Sequence, residues 1–311
     1  MPRSALLQFA QLAFQVASWR LPPYGSKFSP KKFTQPSLLA CLLVKEYLRL
    51  DYRGLEALLA SASELRAALG LQAVPDHSMV HWFLRYKVTP TLLKQVRATT
   101  LRLFTRRYGR GRRVMAADAT GYARRPTSRY YIQRQQRWVP RFLMTSTVVW
   151  TTPQVICAQA DRVGPGSQSR RLRPLIAETL RTGPIARLLG DADYDSEAHH
   201  RWLREELGIE SIIPAIRSRP SRRLTRQPWR YRMQRWFPRR KYGQRWIAET
   251  VHSVIKRKFG EALTARRPWQ QVKQSLLRGV TYNLYRAVRM GLILLRLVLH
   301  RLLHVSTVLV T

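Results

Sequence analysis

The spacing of hydrophobic residues changes along the chain. Up to about residue 110 it has the period of an α-helix, and prolines and glycines separate the periodic runs, which cover residues 38–50, 54–69 and 89–108. Beyond Arg113 the pattern becomes that of β-strands, over residues 114–118, 142–150 and 155–160. The chain is therefore predicted to begin with helices and to continue into a sheet.

Helical and extended runs then alternate as far as residue 216. The pattern predicts helices over residues 172–181 and 196–207 and strands over residues 187–191 and 211–216. Three strands followed by such an alternation predict an α/β fold, in which a mixed sheet is covered by flanking helices. The predicted domains are a helical one over residues 1–110 and an α/β one over residues 111–288.

The last residues, 289–311, form the most apolar part of the chain. Their leucines include positions 292, 295, 299 and 302, a spacing that predicts an amphipathic packing helix. Arg296 and Arg301 fall within this run, and a charge at the centre of a membrane span costs about 2.5–3.5 kcal/mol. A membrane span is therefore not expected.

The charge balance is extreme. The 311 residues include 56 Lys and Arg but 17 Asp and Glu, which gives a formal net charge of +39. Such a surface repels itself unless a polyanion neutralises it, and nucleic acid is the usual polyanion. An anionic membrane as partner, or a role as an arginine-rich ribosomal or packaging protein, are the competing interpretations. The two separated cysteines, Cys41 and Cys157, fit a reducing cytoplasm.

Residues 217–241 form a segment of their own within the α/β part. They hold ten arginines, Lys241 and no carboxylate, with four large aromatic residues between them. Arginines contact phosphates and aromatic rings stack on unpaired bases, so this composition favours contact with a DNA strand over a purely solvated loop. The candidate DNA contacts in this segment are Arg222, Arg223, Trp229 and Trp236.

A second candidate DNA contact lies in the helical part. Residues 74–80 look like a capped helix start, with Asp76 or Ser78 as the cap. A helix pair at this point fits either a DNA-reading helix-turn-helix or a plain helical bundle. His77 and His81 have a spacing that suits zinc, but no third ligand is expected near them.

Acidic residues are so rare in this chain that their positions are informative. Asp118 lies at the predicted end of the first strand, among small residues, and Asp191 lies at the equivalent end of a later strand. A carboxylate on a buried strand is costly unless it is paired or binds a cation. Strand ends at the rim of an α/β sheet are also where sites form. Asp193 and Asp195 share a face with Asp191 if that strand continues, and either could then supplement it.

A third carboxylate, Glu249, lies on a predicted helix. At about 100° per residue, four polar residues fall within roughly 60° of it: Tyr242, Arg245, His252 and Lys256. An ordinary salt bridge to Arg245 also explains this position. Three carboxylates on a sheet and a helix suit a hard cation such as Mg²⁺, and two such ions roughly 3.5–4 Å apart promote phosphodiester chemistry. The residues therefore indicate a metal-dependent nuclease or strand-transfer enzyme.

Several motifs resemble those of bacterial DDE transposases of the insertion-sequence four and five groups. The spacing Tyr242-x₂-Arg245-x₃-Glu249-x₆-Lys256 matches the signature of these groups. Residues 118–121 resemble their first aspartate motif, and residues 190–196 resemble the second, with Asp193 where the family usually has glycine. Residues 74–78 and 282–286 are similar to further segments of the group.

The resemblance implies an RNase H-like catalytic domain preceded by an α-helical DNA-binding domain. It implies that Asp118, Asp191 and Glu249 are catalytic and hold two Mg²⁺ ions, for which Mn²⁺ substitutes. It also implies that Tyr242, Arg245 and Lys256 contact DNA. The implied reaction is hydrolysis at terminal inverted repeats followed by strand transfer into target DNA, performed in the cytoplasm by a homodimer that holds two ends. A nuclease that does not join DNA and a DNA-binding remnant without activity are the other hypotheses.

Three histidines accompany these motifs. His199 and His200 follow the second aspartate motif and are expected at the surface. His252 lies on the same helical face as Glu249 and is a further candidate DNA contact.

Overall fold

The computed structural model describes residues 4–28, 30–124, 142–164, 166–216 and 226–292. The chain forms two compact units, one made of residues 1–107 and 277–311 and the other of residues 108–276. Within the described residues, no helix has both the length and the apolar character that a membrane crossing requires. The predicted packing helix over residues 289–311 lies almost entirely outside the described part of the chain.

The described part of the first unit is built from helices. They are α1 (Ala5–Ser18), α2 (Gln35–Leu48), α3 (Tyr52–Ser61), α4 (Ser63–Ala68), α5 (His77–Tyr86) and α6 (Pro90–Tyr108). Side chains satisfy backbone amides at several of their starts. Asp51 accepts a hydrogen bond from the Gly54 amide, and Asp76 accepts one of 2.7 Å from the Ser78 amide. Of the two caps predicted for α5, Asp76 is therefore the one that is used.

Glu56, Asp76 and His77 meet at the start of α5. Nδ1 of His77 lies 2.8 Å from Oε2 of Glu56 and 3.5 Å from Oδ2 of Asp76. The expectation that no third metal ligand lies near His77 was wrong, because α3 packs against α5 and brings Glu56 next to the histidine. In the described part of the chain, this is the only place where ligand atoms of three His, Cys, Asp or Glu side chains lie within 4.8 Å of one another.

The second unit is built around a mixed sheet. Its strands are β1 (Arg113–Arg124), β2 (Phe142–Trp150), β3 (Val155–Val163), β4 (Ile185–Gly190), β5 (Glu210–Ile212) and β6 (Ala262–Leu263). The order is β3-β2-β1-β4-β5, and β6 pairs with the end of β1. The pairs β1–β2 and β2–β3 are antiparallel, whereas β4 runs parallel to both β1 and β5. The predicted mixed α/β sheet is confirmed.

Helices flank this sheet. They are α7 (Leu172–Leu180), α8 (Glu197–Arg201), α9 (Pro228–Arg235), α10 (Arg239–Tyr242), α11 (Trp246–Phe259) and the start of α12 (Pro268–Arg289), and α8 continues into a π-helical turn over Trp202–Glu206. Helix α11 packs on β1 and β2. Strand β5 is shorter than the predicted run over residues 211–216, because Pro214 has no amide to donate to a strand ladder.

His199 and His200 are buried, so the expectation that they lie at the surface was wrong. Helix α8 turns both rings inwards. Nδ1 of His199 lies 3.0 Å from the Tyr194 carbonyl oxygen, and Nδ1 of His200 lies 2.7 Å from the Ser211 hydroxyl on β5. His200 therefore fastens the helix after the second aspartate motif to the sheet, and His199 joins that helix to the 3₁₀ turn before it.

The burial of His200 makes the stability of the fold depend on pH. Burial lowers the pKa of His200 from 6.5 to about 4. The ring is therefore neutral in the folded protein at pH values where the unfolded chain binds a proton, and stability is lost as the pH falls from 6.5 towards 4. Between pH 6.5 and pH 5, we expect this residue to reduce the free energy of unfolding by about 1.5 kcal/mol.

Urea unfolding of the wild type and of His200→Asn measures this effect. The asparagine amide lies near the position of Nδ1 and does not titrate, so the variant should lose less stability over the same pH range. Other carboxylates and histidines titrate equally in both proteins, and the difference between the two curves isolates His200. Identical pH dependences would contradict the prediction.

Candidate active site

Asp118 lies in the middle of β1, not at its end. The predicted strand over residues 114–118 was too short, because β2 pairs with β1 as far as Ala123 and so extends the strand. On its other side, β1 has β4 as a parallel neighbour, and the last pair in that ladder is Ala117 with Gly190. Asp118 therefore lies where β4 ends, and only 8% of it is exposed.

Asp191 follows the last residue of β4, next to Asp118 in the register of the two strands. Its Oδ1 accepts a hydrogen bond of 2.7 Å from the Ala192 amide, and a 3₁₀ turn begins there. The strand therefore does not continue, and the prediction that Asp193 and Asp195 share the face of Asp191 was wrong. Asp193 is exposed, whereas the side chain of Asp195 is fully buried against Arg230.

Arg245 links the third carboxylate to the first. Its Nη2 contacts Oε1 of Glu249, and its Nη1 lies 3.7 Å from Oδ1 of Asp118. The salt bridge between Arg245 and Glu249, which was the simpler explanation for this helix, is therefore present. The same guanidinium also reaches the strand, so it lies between a buried carboxylate and one whose side chain is 54% exposed.

The position between Asp118 and Glu249 suits a cation. Burial disfavours the charge of Arg245, but its surroundings outweigh burial and raise its pKa; the contributing groups are Tyr242, Glu249, Asp191 and Asp118. The guanidinium shows that positive charge is stabilised here. Carboxylate oxygens are also the ligands that Mg²⁺ prefers. Asp118 and Glu249 therefore offer the oxygen ligands that a divalent cation prefers on either side of one guanidinium, while the ligand atoms of Asp118, Asp191 and Glu249 do not all lie within 4.8 Å of one another.

A cleft of about 620 Å³ opens beside the first and third carboxylates, and Asp191 is not among the residues that line it. Asp118 and Glu249 line it together with Lys256, Arg257 and Glu261. Lys256 lies seven residues after Glu249 and faces the same cleft, as the helical spacing predicted. A cleft with carboxylates at one end and cationic side chains beside them is suited to a phosphodiester chain, whose phosphates the cations can neutralise.

The comparison with known protein families identifies the family of this chain. Residues 109–284 match the family model described as a transposase DDE domain, and the match spans more than half of the chain. The chain belongs to the transposase DDE domain family. The sheet and its flanking helices are consistent with the RNase H-like fold of DDE transposases. No curated protein matches the chain.

Tyr242 of this DDE transposase joins the end of α10, the short helix before the glutamate helix, to the end of β4. Its hydroxyl donates a hydrogen bond of 3.2 Å to the Gly190 carbonyl oxygen, directly before Asp191. Burial raises the pKa of Tyr242 to about 12, which keeps the hydroxyl protonated as a donor. Its ring also lies 4.8 Å from the Phe237 ring. Tyr242, which was predicted to contact DNA, therefore also makes contacts within the protein.

Replacing Tyr242 by Phe removes that hydrogen bond and keeps the ring. We expect a loss of about 1 kcal/mol in the free energy of unfolding, the net value of one hydrogen bond, measured by thermal or urea unfolding. Tyr231→Phe, on the neighbouring α9, is the control and should change stability by less than about 0.5 kcal/mol. Equal effects of the two changes would show that the bond to Gly190 contributes nothing.

The aromatic residues of the basic segment differ in exposure. The Trp229 indole N–H donates a hydrogen bond of 2.8 Å to Glu205, and the Arg204 guanidinium lies 4.6 Å from the centre of its ring. Trp229 therefore fastens α9 to the transposase domain. Trp236 is 64% exposed. Trp246, which the sequence analysis missed, is 57% exposed. Arg222 and Arg223, the other two candidates in this segment, lie outside the described residues.

His252 is largely buried and makes two contacts within the domain, and its contact with DNA stays a prediction. Only 5% of the residue is exposed, because the ring points towards the sheet on which α11 packs. Its Nδ1 lies 3.4 Å from Oδ2 of Asp118, and its Nε2 lies 2.8 Å from the Thr147 hydroxyl. The helical angle placed His252 near Glu249 correctly, and both residues line the same cleft, but it did not indicate that the ring would contact the strand.

Proposed function

We propose that this DDE transposase belongs to the insertion-sequence four and five groups and that it cuts DNA at terminal inverted repeats and joins the ends to target DNA. The observation that carries the proposal is the placement of the three carboxylates. Asp118 and Asp191 are neighbours on adjoining strands, and Arg245 connects Asp118 to Glu249 at the edge of a cationic cleft.

Asp118, Asp191 and Glu249 would hold Mg²⁺, or Mn²⁺ in its place. When bound, the metal ions supply activation of the attacking oxygen and stabilisation of the leaving oxygen at the phosphodiester. With metal held there, Arg245 would no longer pair with the two carboxylates and would be placed to contact a phosphate next to the cleaved bond. Lys256 lines the same cleft and neutralises a second phosphate.

The exposed aromatic residues support binding of a distorted DNA end. Trp246 follows Arg245 directly, and Trp236 lies among arginines at the end of α9. An exposed indole surrounded by cations is suited to stacking on an unpaired base while the cations contact the backbone. We propose in addition that residues 1–110 bind DNA and that the active form is a homodimer, since two ends must be held together for joining.

The test uses supercoiled plasmid that carries the flanking ends of the element, with and without Mg²⁺. The proposal expects metal-dependent nicking at the ends and a joined product in target DNA. Nicking without any joined product would identify a nuclease, and binding without nicking would identify a DNA-binding remnant. Binding alone does not discriminate among these, because every hypothesis predicts salt-dependent binding to DNA.

A further inference from the structure

We propose that His252 is a positioning residue that orients the Asp118 carboxylate for metal binding. The proposal rests on the function proposed above, in which Asp118 is a metal ligand. His252 is among the residues that line the cleft, but only 5% of it is exposed, and its ring lies between the glutamate helix and the sheet.

Three elements of the second unit meet at this histidine. His252 belongs to α11, Asp118 to β1 and Thr147 to β2, and Asp118 and Thr147 are directly opposite each other in the β1–β2 ladder. Nδ1 of the ring lies 3.4 Å from Asp118, and Nε2 lies 2.8 Å from the Thr147 hydroxyl. One ring therefore bridges two facing strand residues, and its own exposure of 5% excludes most competing water.

The chemistry of the partners indicates which ring nitrogen carries the proton. A carboxylate can only accept, so the contact between Nδ1 and Asp118 favours a proton on Nδ1. In the neutral ring the other nitrogen is then an acceptor, and the Thr147 hydroxyl donates to Nε2. Thr147 thus holds the ring in the tautomer that Asp118 needs. Groups that hydrogen-bond to a metal ligand in this way set its orientation and its affinity for the metal.

Among the described residues, the side chains that form ion-pair contacts with Asp118 are Arg245 and His252. Arg245 contacts both Asp118 and the exposed Glu249, so its guanidinium would have to leave the position that a metal ion between these two carboxylates would take. His252 is buried and remains. It also lies three residues after Glu249 on α11, so that its contact with Asp118 helps to fix the separation of the two carboxylates.

Two substitutions separate the two ends of the ring. His252→Asn retains an amide donor near the position of Nδ1, which faces Asp118. His252→Gln places its amide near the position of Nε2, which faces Thr147, and leaves Asp118 without that donor. Both changes replace the same buried ring by an amide, so their effects on folding should be similar and are compared by thermal unfolding.

The measurement is a titration of the full-length protein with Mn²⁺, followed by electron paramagnetic resonance in the absence of DNA. The Asp118→Asn variant measures how much Mn²⁺ binds at other positions, including Glu56, Asp76 and His77. This amount is subtracted from the binding of each protein. We expect His252→Gln to weaken the remaining affinity by about 10–100-fold, the usual effect of losing a partner of a metal ligand, and His252→Asn to weaken it by less than about 3-fold.

Equal Mn²⁺ affinities in the wild type and His252→Gln would overturn the role of His252 and leave the proposed function standing. Equal losses in the Asn and Gln variants would also overturn it, because the loss would then follow from the missing ring and not from the missing donor to Asp118. A wild-type protein with no Mn²⁺ binding beyond the Asp118→Asn background would overturn the proposed metal site itself, and this proposal with it.

Discussion

Glu249→Gln will remove metal-dependent cleavage by this transposase and leave DNA binding intact. Glu249 is the exposed member of the three carboxylates, and its substitution by an amide of the same shape takes one negative charge from the proposed metal site. We expect the rate of plasmid nicking at the ends to fall by at least about 10³-fold, the scale on which losing a charge-stabilising group in an active site acts. Gel-shift titrations with an end fragment will report binding.

Glu261→Gln is the matched control for this result. Glu261 lines the same cleft, is exposed and undergoes the same change in charge, but it is not one of the three proposed ligands. Its nicking rate should stay within about 3-fold of the wild type, since surface changes away from the chemistry usually have small effects. If the two variants nick equally fast, Glu249 is not part of the catalytic centre.

Asp195→Ala will destabilise the fold although Asp195 belongs to the second aspartate motif. Its side chain is fully buried and lies 2.7 Å from Nη2 of Arg230, and it also accepts a hydrogen bond of 2.8 Å from the Ile216 amide. Removing it leaves a partly buried guanidinium without its counter-charge. We expect a loss of about 3 kcal/mol in the free energy of unfolding. This is the lower end of the range for breaking a buried ion pair, because 22% of the Arg230 side chain is exposed.

Asp193→Ala provides the comparison for Asp195→Ala. It removes a carboxylate from the same motif, two residues earlier, but at an exposed position. Its effect on urea unfolding should stay within about 0.5 kcal/mol. Similar losses for both substitutions would mean that the ion pair with Arg230 does not hold α9 to the domain.

The sequence was sufficient for features that depend on neighbouring residues. Hydrophobic period predicted the mixed sheet, and the angle around the helix placed Arg245 and Lys256 on the side of Glu249. Asp76 was one of two caps predicted for α5, because capping involves residues only two or three positions apart. In each case the information lies within one or two turns of the chain.

The sequence was not sufficient where distant residues decide the structure. Residues 119–124 show no hydrophobic run, so β1 was predicted to end at Asp118; pairing with β2 extends it. Arg230 lies 35 residues after Asp195, and His252 lies 105 residues after Thr147. Contacts of this kind leave no periodic pattern. The roles of Asp195 and His252 therefore became visible only when the strands and helices were assembled.

Strand β5 also protects the sheet from association with other chains. It lies at one edge of the sheet and has three residues, and Pro214 follows shortly after it. Side chains occupy part of this strand. Arg204 donates a hydrogen bond of 2.6 Å to the Ser211 carbonyl oxygen, and Glu210 forms ion pairs with Arg187 and Lys241. A short, charged edge offers few backbone groups to a second strand, which disfavours aggregation of copies concentrated on one DNA molecule.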